Sequence, residues 1–497
     1  MFRNFILTHD RQVHRALEIL PGFVSWNLIL FPIWGAFIWP TGVAYFVLLF
    51  NVFWFYKSAT IALTAIISHF RMKAAEALDW MKEVYGFPDW QQVHHIIIVP
   101  TVNEPIYILE RTLNSLKHQT WPTKKITVVI AMEKKADPHH RQQLKQALNQ
   151  KFKTTFAHLY YTVHELQTGE VIGKSSNERY AGIWIKKKLV DHLGYDLNYL
   201  TVTTCDADHA YHPKHFAYLA YKFLDSPNRY NRFWQPAVMF YNNFWRLPAM
   251  SRVASTFGSI WNMAQLSRTD RLINCANYSA SLKMIHEVGY WDADVIPEDY
   301  RIFFKSFFHL KGKLEVEPIF LPLYADAAES TGWWKTMINQ YEQFKRWAWG
   351  VSDDPYIIKH WLLAPFQSFW DKTIRILRII EDHFLWPVNW FIITLGMNIS
   401  LLVNPNLHRT TLGYIVPQIS STILTISLVF LLVILIIDAK RRPPRPAEVK
   451  RWRAWIIPFE FILMPIVGFF FTALPGLDAH TRLMLGKYLE YRVTEKV

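Results

Sequence analysis

Only two cysteines, Cys205 and Cys275, occur in the 497 residues. That count excludes a disulfide scaffold and fits a reducing compartment. The chain also lacks one long basic patch, although its formal net charge is +14. Its lysines and arginines flank apolar blocks, which points away from nucleic acid and towards an anionic membrane leaflet. No nucleic-acid-binding module accompanies the charge. No small-residue cleavage site follows the first apolar block, which lies deeper than a cleaved signal and runs at once into a second. What the chain has in excess is hydrophobic side chain, 51% of residues, unevenly spread and in a chain too long for one ordinary domain.

The apolar residues gather at the two ends. Stretches 23–39 and 43–67 form a pair broken at Pro40-Thr41-Gly42, and 384–403 and 412–437 form a second, joined by NPNLHRTT. Each is close to the roughly 20 helical residues that cross a bilayer core. A fifth stretch, 454–474, is interrupted by Pro458, Glu460 and Pro465. The loop KRRPPRPAEVKRWR, 440–453, carries seven Lys/Arg against one Glu and is expected in the cytoplasm. Two crossings lead back to the middle of the chain, so that region is expected on the cytoplasmic face of a multi-pass protein of the cell (inner) membrane. The fifth stretch either crosses or dips and returns. Arg482, Lys487, Arg492 and Lys496 in the tail favour a return.

From His94 onward, β-rich runs alternate with helical patterns: HHIIIVP, a helix over 105–119, KITVVIA, a helix over 138–149, FAHLYYTV, a helix over 176–190, then NYLTVTTC. This order predicts a mostly parallel sheet covered on both faces, with ligands beyond the carboxyl ends of its strands. The acids and polar residues that stand out, Thr101 to Glu104, Glu133, and Asp206 and Asp208, all follow strands. A turn after Cys205 lets one of the DAD acids take a ribose hydroxyl while the other takes a metal. Hard oxygen donors suit Mg²⁺ or Mn²⁺. The alternative is an Asx turn and N-cap leading into a helix over 213–223. His209, His212 and His215 do not make a zinc site, because Pro213 interrupts them and no fourth ligand is evident; His209 is retained beside the metal.

Glu298 and Asp299 open a helical pattern over 300–310. Acids there complement a helix dipole, and Asp299 is equally a candidate general base in the crevice. Gln343, Arg346 and Trp347 fall in a Trp-rich helical stretch over 332–350. Indole stacks on sugar faces and guanidinium binds phosphate, while the same composition suits an interfacial helix.

In order along the chain stand VPTVNE, GKSSN, DADH, PED, QFKRW and YRVTEK. This set resembles the membrane-integrated family 2 glycosyltransferases of the cellulose synthase and hyaluronan synthase type, over about 90–350 and the last residues. The resemblance implies an α/β GT-A (nucleotide-diphospho-sugar transferase) domain in the cytoplasm, inserted between transmembrane helix pairs. The expected divisions are a membrane hairpin (1–71), the GT-A domain (72–330), interfacial helices (331–380), a transmembrane pair (381–437), a basic loop (438–453), and a re-entrant or interfacial segment with its tail (454–497). By the resemblance, Thr101, Glu104, Glu133, Lys174, Asn177 and Asp206 bind the nucleotide-sugar. Asp208, with Asp206 and His209, holds the metal, and Asp299 is the base. Glu298, Gln343, Arg346 and Trp347 hold acceptor and diphosphate. Tyr491, Val493, Thr494 and Lys496 form a gating loop. Glu133 stands where the family usually has an Asp, so the base of a UDP-sugar donor is less firmly implied than the diphosphate.

The expected reaction is inverting transfer from a nucleotide-diphosphate-sugar to a growing polysaccharide, with or without export. Single transfer to a polyprenyl phosphate or other lipid is the alternative within that chemistry. A transporter with a cytoplasmic regulatory domain is the rival of another class. It is opposed by spans poor in charge apart from Glu460 and Glu381-Asp382-His383.

Overall fold

The computed structural model describes residues 2–364 and 368–490. Its centre is an eight-stranded sheet: β1 His94–Thr101, β2 Ile126–Glu133, β3 His158–His164, β4 Leu200–Thr204, β5 Ala210–Tyr211, β6 Arg232–Met239, β7 Ser279–Ser281 and β8 Glu315–Tyr324. The spatial order is β3-β2-β1-β4-β7-β6-β8-β5.

Period-two alternation explains how this sheet is buried on both sides. Along β1, Ile96 and Ile98 join one apolar cluster, while Ile97 and Val99 join the other. Along β2, Val129 and Ala131 face the first cluster, and Val128, Ile130 and Met132 the second. Each buried aliphatic side chain contributes about 2 kcal/mol. The helix Ile106–Lys117 buries Ile108, Leu109, Thr112, Leu113 and Leu116, one stripe at helical spacing.

The sheet is less parallel than the alternation predicts. β3, β2, β1 and β4 run parallel, but β7 is antiparallel to both β4 and β6, and β5 is antiparallel to β8. β6 and β8 pair in parallel with an irregularity at Pro236/Ala237. Because β7 opposes both its neighbours, β4 and β6 point the same way. The carboxyl ends of β1, β2, β3, β4, β6 and β8 therefore share one edge, and the start of β7 joins them there.

Among the described residues, five helical stretches are long and apolar enough to cross a membrane: Asp10–Ile38, Pro40–Ala77, Lys372–Val403, Thr411–Arg441 and Arg451–Met484. The first two meet at Trp39, and Pro40-Thr41-Gly42, expected to break the pair, instead open the second helix. Asp10–Ile38 packs on Phe369–Val403, and Pro40–Ala77 on Thr411–Arg441. Asn51 Nδ2 donates to Ser420 Oγ at 2.8 Å in the second interface, polar glue between apolar helices. Outward-facing Leu49, Leu402 and Leu428 remain exposed, as a lipid-facing surface requires.

Gly413 opens the second of the C-terminal pair. A Cβ there would lie 1.8 Å from the Leu407 carbonyl oxygen, while its own N–H donates to the capping Thr410 hydroxyl at 3.0 Å. Gly413→Ala is expected to cost about 1–3 kcal/mol through that clash, read as a lower thermal midpoint of the detergent-solubilised protein. An unchanged midpoint would show that the link can shift freely.

The fifth stretch is helical throughout but passes through a 3-10 turn at Phe461–Leu463 and a π turn at Phe469–Ala473. Glu460 pairs with Arg252 on the helix Ala249–Gln265 beside the sheet. Pro465 and Thr472 accept from Trp390 and Trp386, and His480 contacts Phe384, so the chain retraces that helix towards its beginning. Asp478 then lies 3.5 Å from Lys345. One end of the stretch thus meets the helix Ala249–Gln265 beside the sheet, and the other meets the helix Trp333–Ala348. The acids at the membrane edge are paired as well: Lys57 lies 2.5 Å from Glu381 and 3.1 Å from Asp382, and His383 Nδ1 lies 2.7 Å from Asp354.

Candidate active site

The DADH turn sits at the carboxyl edge, directly after β4. Thr112 Oγ1 donates to the Ala207 carbonyl at 2.6 Å, and Arg111 and Asn242 donate to that of Asp208. The turn is therefore clamped from both sides. Asp208 is buried and accepts from the Asp326 N–H through Oδ2 at 2.9 Å. Asp206 is a third exposed, and its N–H donates to Asn277 Oδ1 at 3.0 Å. Ligand atoms of Asp206, Asp208 and His209 all lie within 4.8 Å of one another. The buried Nδ1 of His209 makes no hydrogen bond among the described residues and stands 4.0 Å from Asp206 Oδ2. Two carboxylates and an imidazole in this cluster fit Mg²⁺ or Mn²⁺. His215 is instead a core residue, its ring against Tyr211 and Phe216, and burial lowers its pKa to about 3.

Lys174 begins the helix Lys174–Lys186. The turn into it needs Gly173, whose φ of +131° suits no residue with a Cβ. Lys174 Nζ lies 3.1 Å from Asp206 Oδ1, 2.9 Å from Glu298 Oε1 and 3.8 Å from Glu178 Oε1, and it donates to the Ala276 carbonyl at 2.6 Å. Burial works against its charge, but Asp206, Glu298 and Glu178 outweigh that and hold the ammonium well above its ordinary range. Burial, with Asp299 and Asp206 adding to it against Lys174, raises Glu298 to about 7. Glu178, wholly buried, is pushed well above the carboxylate range by the same desolvation.

Asp299 enters through the same short loop. Its Oδ2 accepts from the Ala276 N–H at 2.9 Å and its Oδ1 from the Tyr300 N–H at 2.9 Å, while Asn274 donates to its carbonyl at 3.0 Å. Ala276 therefore offers its carbonyl to Lys174 and its N–H to Asp299. It does so at φ +53°, a left-handed backbone costing about 1–2 kcal/mol for a residue with a Cβ. Helix start and crevice position coincide for Asp299, so the two sequence alternatives are compatible.

The remaining candidates divide. Glu133 ends β2 fully buried, and its Oε1 accepts from the Gly173 N–H at 3.0 Å and from Asn177 Nδ2 at 3.1 Å. Burial raises its pKa against those bonds. Glu133 and Asn177 thus brace the turn before Lys174. Glu104 Oε2 accepts from Thr101 Oγ1 and the Val102 N–H, each at 2.7 Å. Gln343 is buried and accepts from Gln340 Nε2 at 3.2 Å. Trp347 packs against Phe240, which follows β6, with the rings tilted and their centroids 5.5 Å apart. A Cβ on Gly350, just beyond Arg346 and Trp347, would come 3.2 Å from Tyr300, so this helix end reaches the start of the Asp299 helix. The expected gating loop of Tyr491, Val493, Thr494 and Lys496 lies outside the described residues.

Sequence reasoning missed Asn274, Ala276, Asn277 and Glu178. Only the proximity of Cys275 and the Glu closing GKSSNE hinted at them.

A mixed sheet with acids gathered at its carboxyl edge is the arrangement that the expected GT-A domain calls for. Residues 201–437, a little under half of the chain, match the family model described as glycosyl transferase family group 2. No curated protein matches the sequence. Among solved structures, one similar chain is the mannosyltransferase PcManGT from Pyrobaculum calidifontis in complex with GDP-Man and Mn²⁺. It shows 14% identity and a TM-score of 0.40, with 86% of this chain and 100% of that one covered. Another is S. aureus TarS 1-349 in complex with UDP-GlcNAc, with 14% identity, a TM-score of 0.38, and 71% and 93% covered.

Proposed function

We propose that the protein is an inverting glycosyltransferase at the cytoplasmic face of the cell membrane. It moves a sugar from a nucleotide-diphosphate-sugar to a growing glycan, with single transfer to a lipid as the alternative acceptor chemistry. The observation that carries this reading is the joining of Asp206, Glu298 and Asp299 through Lys174 and Ala276. One ammonium and one peptide unit tie the candidate metal ligand to the candidate base.

In this reading Asp208, Asp206 and His209 hold Mg²⁺ or Mn²⁺, which neutralises the departing diphosphate when bound. Lys174, already among carboxylates, turns to the phosphate oxygens, and Arg346 adds a second cation. Asp299, oriented by two backbone N–H groups, takes the proton from the acceptor hydroxyl as the oxygen attacks the anomeric carbon from the face opposite the diphosphate. Gln343 and Trp347 hold the acceptor beside Glu298. Thr101, Glu104, Glu133 and Asn177 shape the nucleotide end, directly or by bracing the turn at Gly173. The contact of Asp478, near the end of the fifth stretch, with Lys345 of the helix that carries Gln343 and Arg346 supports a cytoplasmic tail, with the tail residues 491–496 acting as its gate.

The test is a screen of nucleotide-sugars with Mn²⁺ or Mg²⁺ in nanodiscs, following nucleoside diphosphate release and analysing the product by mass spectrometry. One donor class should turn over and add sugar to glycan or lipid. Transport of an uncharged solute with no turnover of any donor would favour the rival reading.

A further inference from the structure

Consecutive residues of the loop before β7 tie the site together. Asn274 Nδ2 donates to the Asp299 carbonyl, Ala276 bonds both Asp299 and Lys174, and Asn277 Oδ1 accepts from the Asp206 N–H. Between them, Cys275 bonds Gln235 with both of its backbone groups. Its N–H donates to Gln235 Oε1 at 2.9 Å, and its carbonyl accepts from Gln235 Nε2 at 3.1 Å.

Gln235 lies on β6 and is 2% exposed. The reason a side chain is needed there is local. The β6–β7 ladder pairs Phe233 with Ala280 and Trp234 with Ser279, and it ends at that rung. Pro236, two residues on, has no N–H with which to continue it. Gln235 carries the pairing further with its side chain, an amide matched to a peptide. Its Nε2 also donates to the Pro236 carbonyl at 3.1 Å. With an N–H facing Oε1 and two carbonyls facing Nε2, the partners settle which way the amide lies.

The conformation held in this way is a strained one. Ala276 stands at φ +53°, where a residue with a Cβ is disfavoured by about 5- to 30-fold. Such backbone persists only where its surroundings over-determine it. In the reaction proposed above, Lys174 turns to phosphate and Asp299 gains a proton, so both holds on Ala276 from the site slacken within a cycle. The grip of Gln235 on Cys275 is untouched by either event.

We propose that Gln235 is a positioning residue for the transfer. By pinning both ends of Cys275 it keeps the strained Ala276 peptide, and through it Asp299, in place. The part that concerns transfer rests on the proposed reaction, whereas the hold on the peptide can be measured without it.

Amide hydrogen exchange of the full chain in nanodiscs, resolved by residue with electron-transfer fragmentation, is that measurement. Gln235→Met keeps the length of the side chain and removes its hydrogen bonds. The N–H at position 276 is expected to exchange about 5- to 30-fold faster than in the wild type, while the amides of β1 stay within about twofold. Glycine takes a positive φ without strain. The double variant Gln235→Met/Ala276→Gly should therefore exchange at position 276 within about threefold of Ala276→Gly alone. Gln235→Asn, a methylene too short to meet both Cys275 groups, should repeat the result and covers the case in which Gln235→Met fails to fold. Unchanged exchange at position 276 in both variants overturns the hold. A rise shared by β1 would make Gln235 a brace of the whole sheet and overturns it too, as does a rise that Ala276→Gly leaves in place. With a donor from the screen, Gln235→Met should lose about 5- to 30-fold in kcat and keep donor KM within about threefold. Unchanged kcat alongside faster exchange would overturn the positioning role. No donor enters the exchange measurement, so its failure is separate from that of the donor screen.

Discussion

Asp208→Ala is expected to reduce nucleoside diphosphate release by roughly 100- to 1000-fold in saturating Mn²⁺ or Mg²⁺, the scale lost when one preorganised electrostatic group is removed from a transition state. The size follows from where the carboxylate sits. It is 1% exposed, so water cannot take its place, and it shares a 4.8 Å cluster with Asp206 and His209. It also has a structural duty, because its Oδ2 accepts the Asp326 N–H. Asp208→Asn separates the two duties. The amide oxygen still accepts that N–H, but the charge is gone. Both variants should be equally inactive, and metal titration should show the weaker activation of each. An active Asn variant would reduce Asp208 to a brace of the loop after β8 and remove the metal from the mechanism.

How much of this site could be read in the sequence depends on how local each signal is. β1 and β2 were legible because β-branched runs between turn residues alternate between two clusters, and the acids after them were legible as strand-end residues. β6 and β8 carry Pro236, Pro318 and Pro322, which argue against central strands, and β7 is three small residues, Ser279–Ser281. The antiparallel insertion therefore left no periodic trace. The loop before β7 was hidden for another reason: Asn274 and Ala276 act through backbone and side-chain bonds to Asp299, and no pattern of types announces that. Lys57 gives no local signal of its role, since its partners lie more than 300 residues on. The helix starts were readable, and Asp299 shows why they were ambiguous. An acid in a first turn looks the same whether it serves the dipole or a substrate.

Asp299→Asn resolves that ambiguity and is expected to lower transfer by about 100- to 10,000-fold, the usual contribution of a positioned general base. Its effect on the fold should be modest: the asparagine oxygen can accept from either the Ala276 N–H or the Tyr300 N–H but not both, so one of the two backbone bonds is lost while the first-turn position is retained. Donor affinity should stay within about twofold, since Lys174 keeps Asp206 and Glu298 as partners at 3.1 and 2.9 Å whichever group occupies 299. The two readouts therefore part company: nucleotide-sugar binding by calorimetry holds while turnover collapses. If Asp299 served the helix dipole alone, the neutral side chain would cost a few tenths to 1 kcal/mol of stability and leave transfer standing. Persistent transfer with a lowered thermal midpoint would thus assign Asp299 to the helix and move the search for a base to Glu298. That residue is already raised to about 7 by burial and by Asp299 itself, and it stands 2.9 Å from the same lysine.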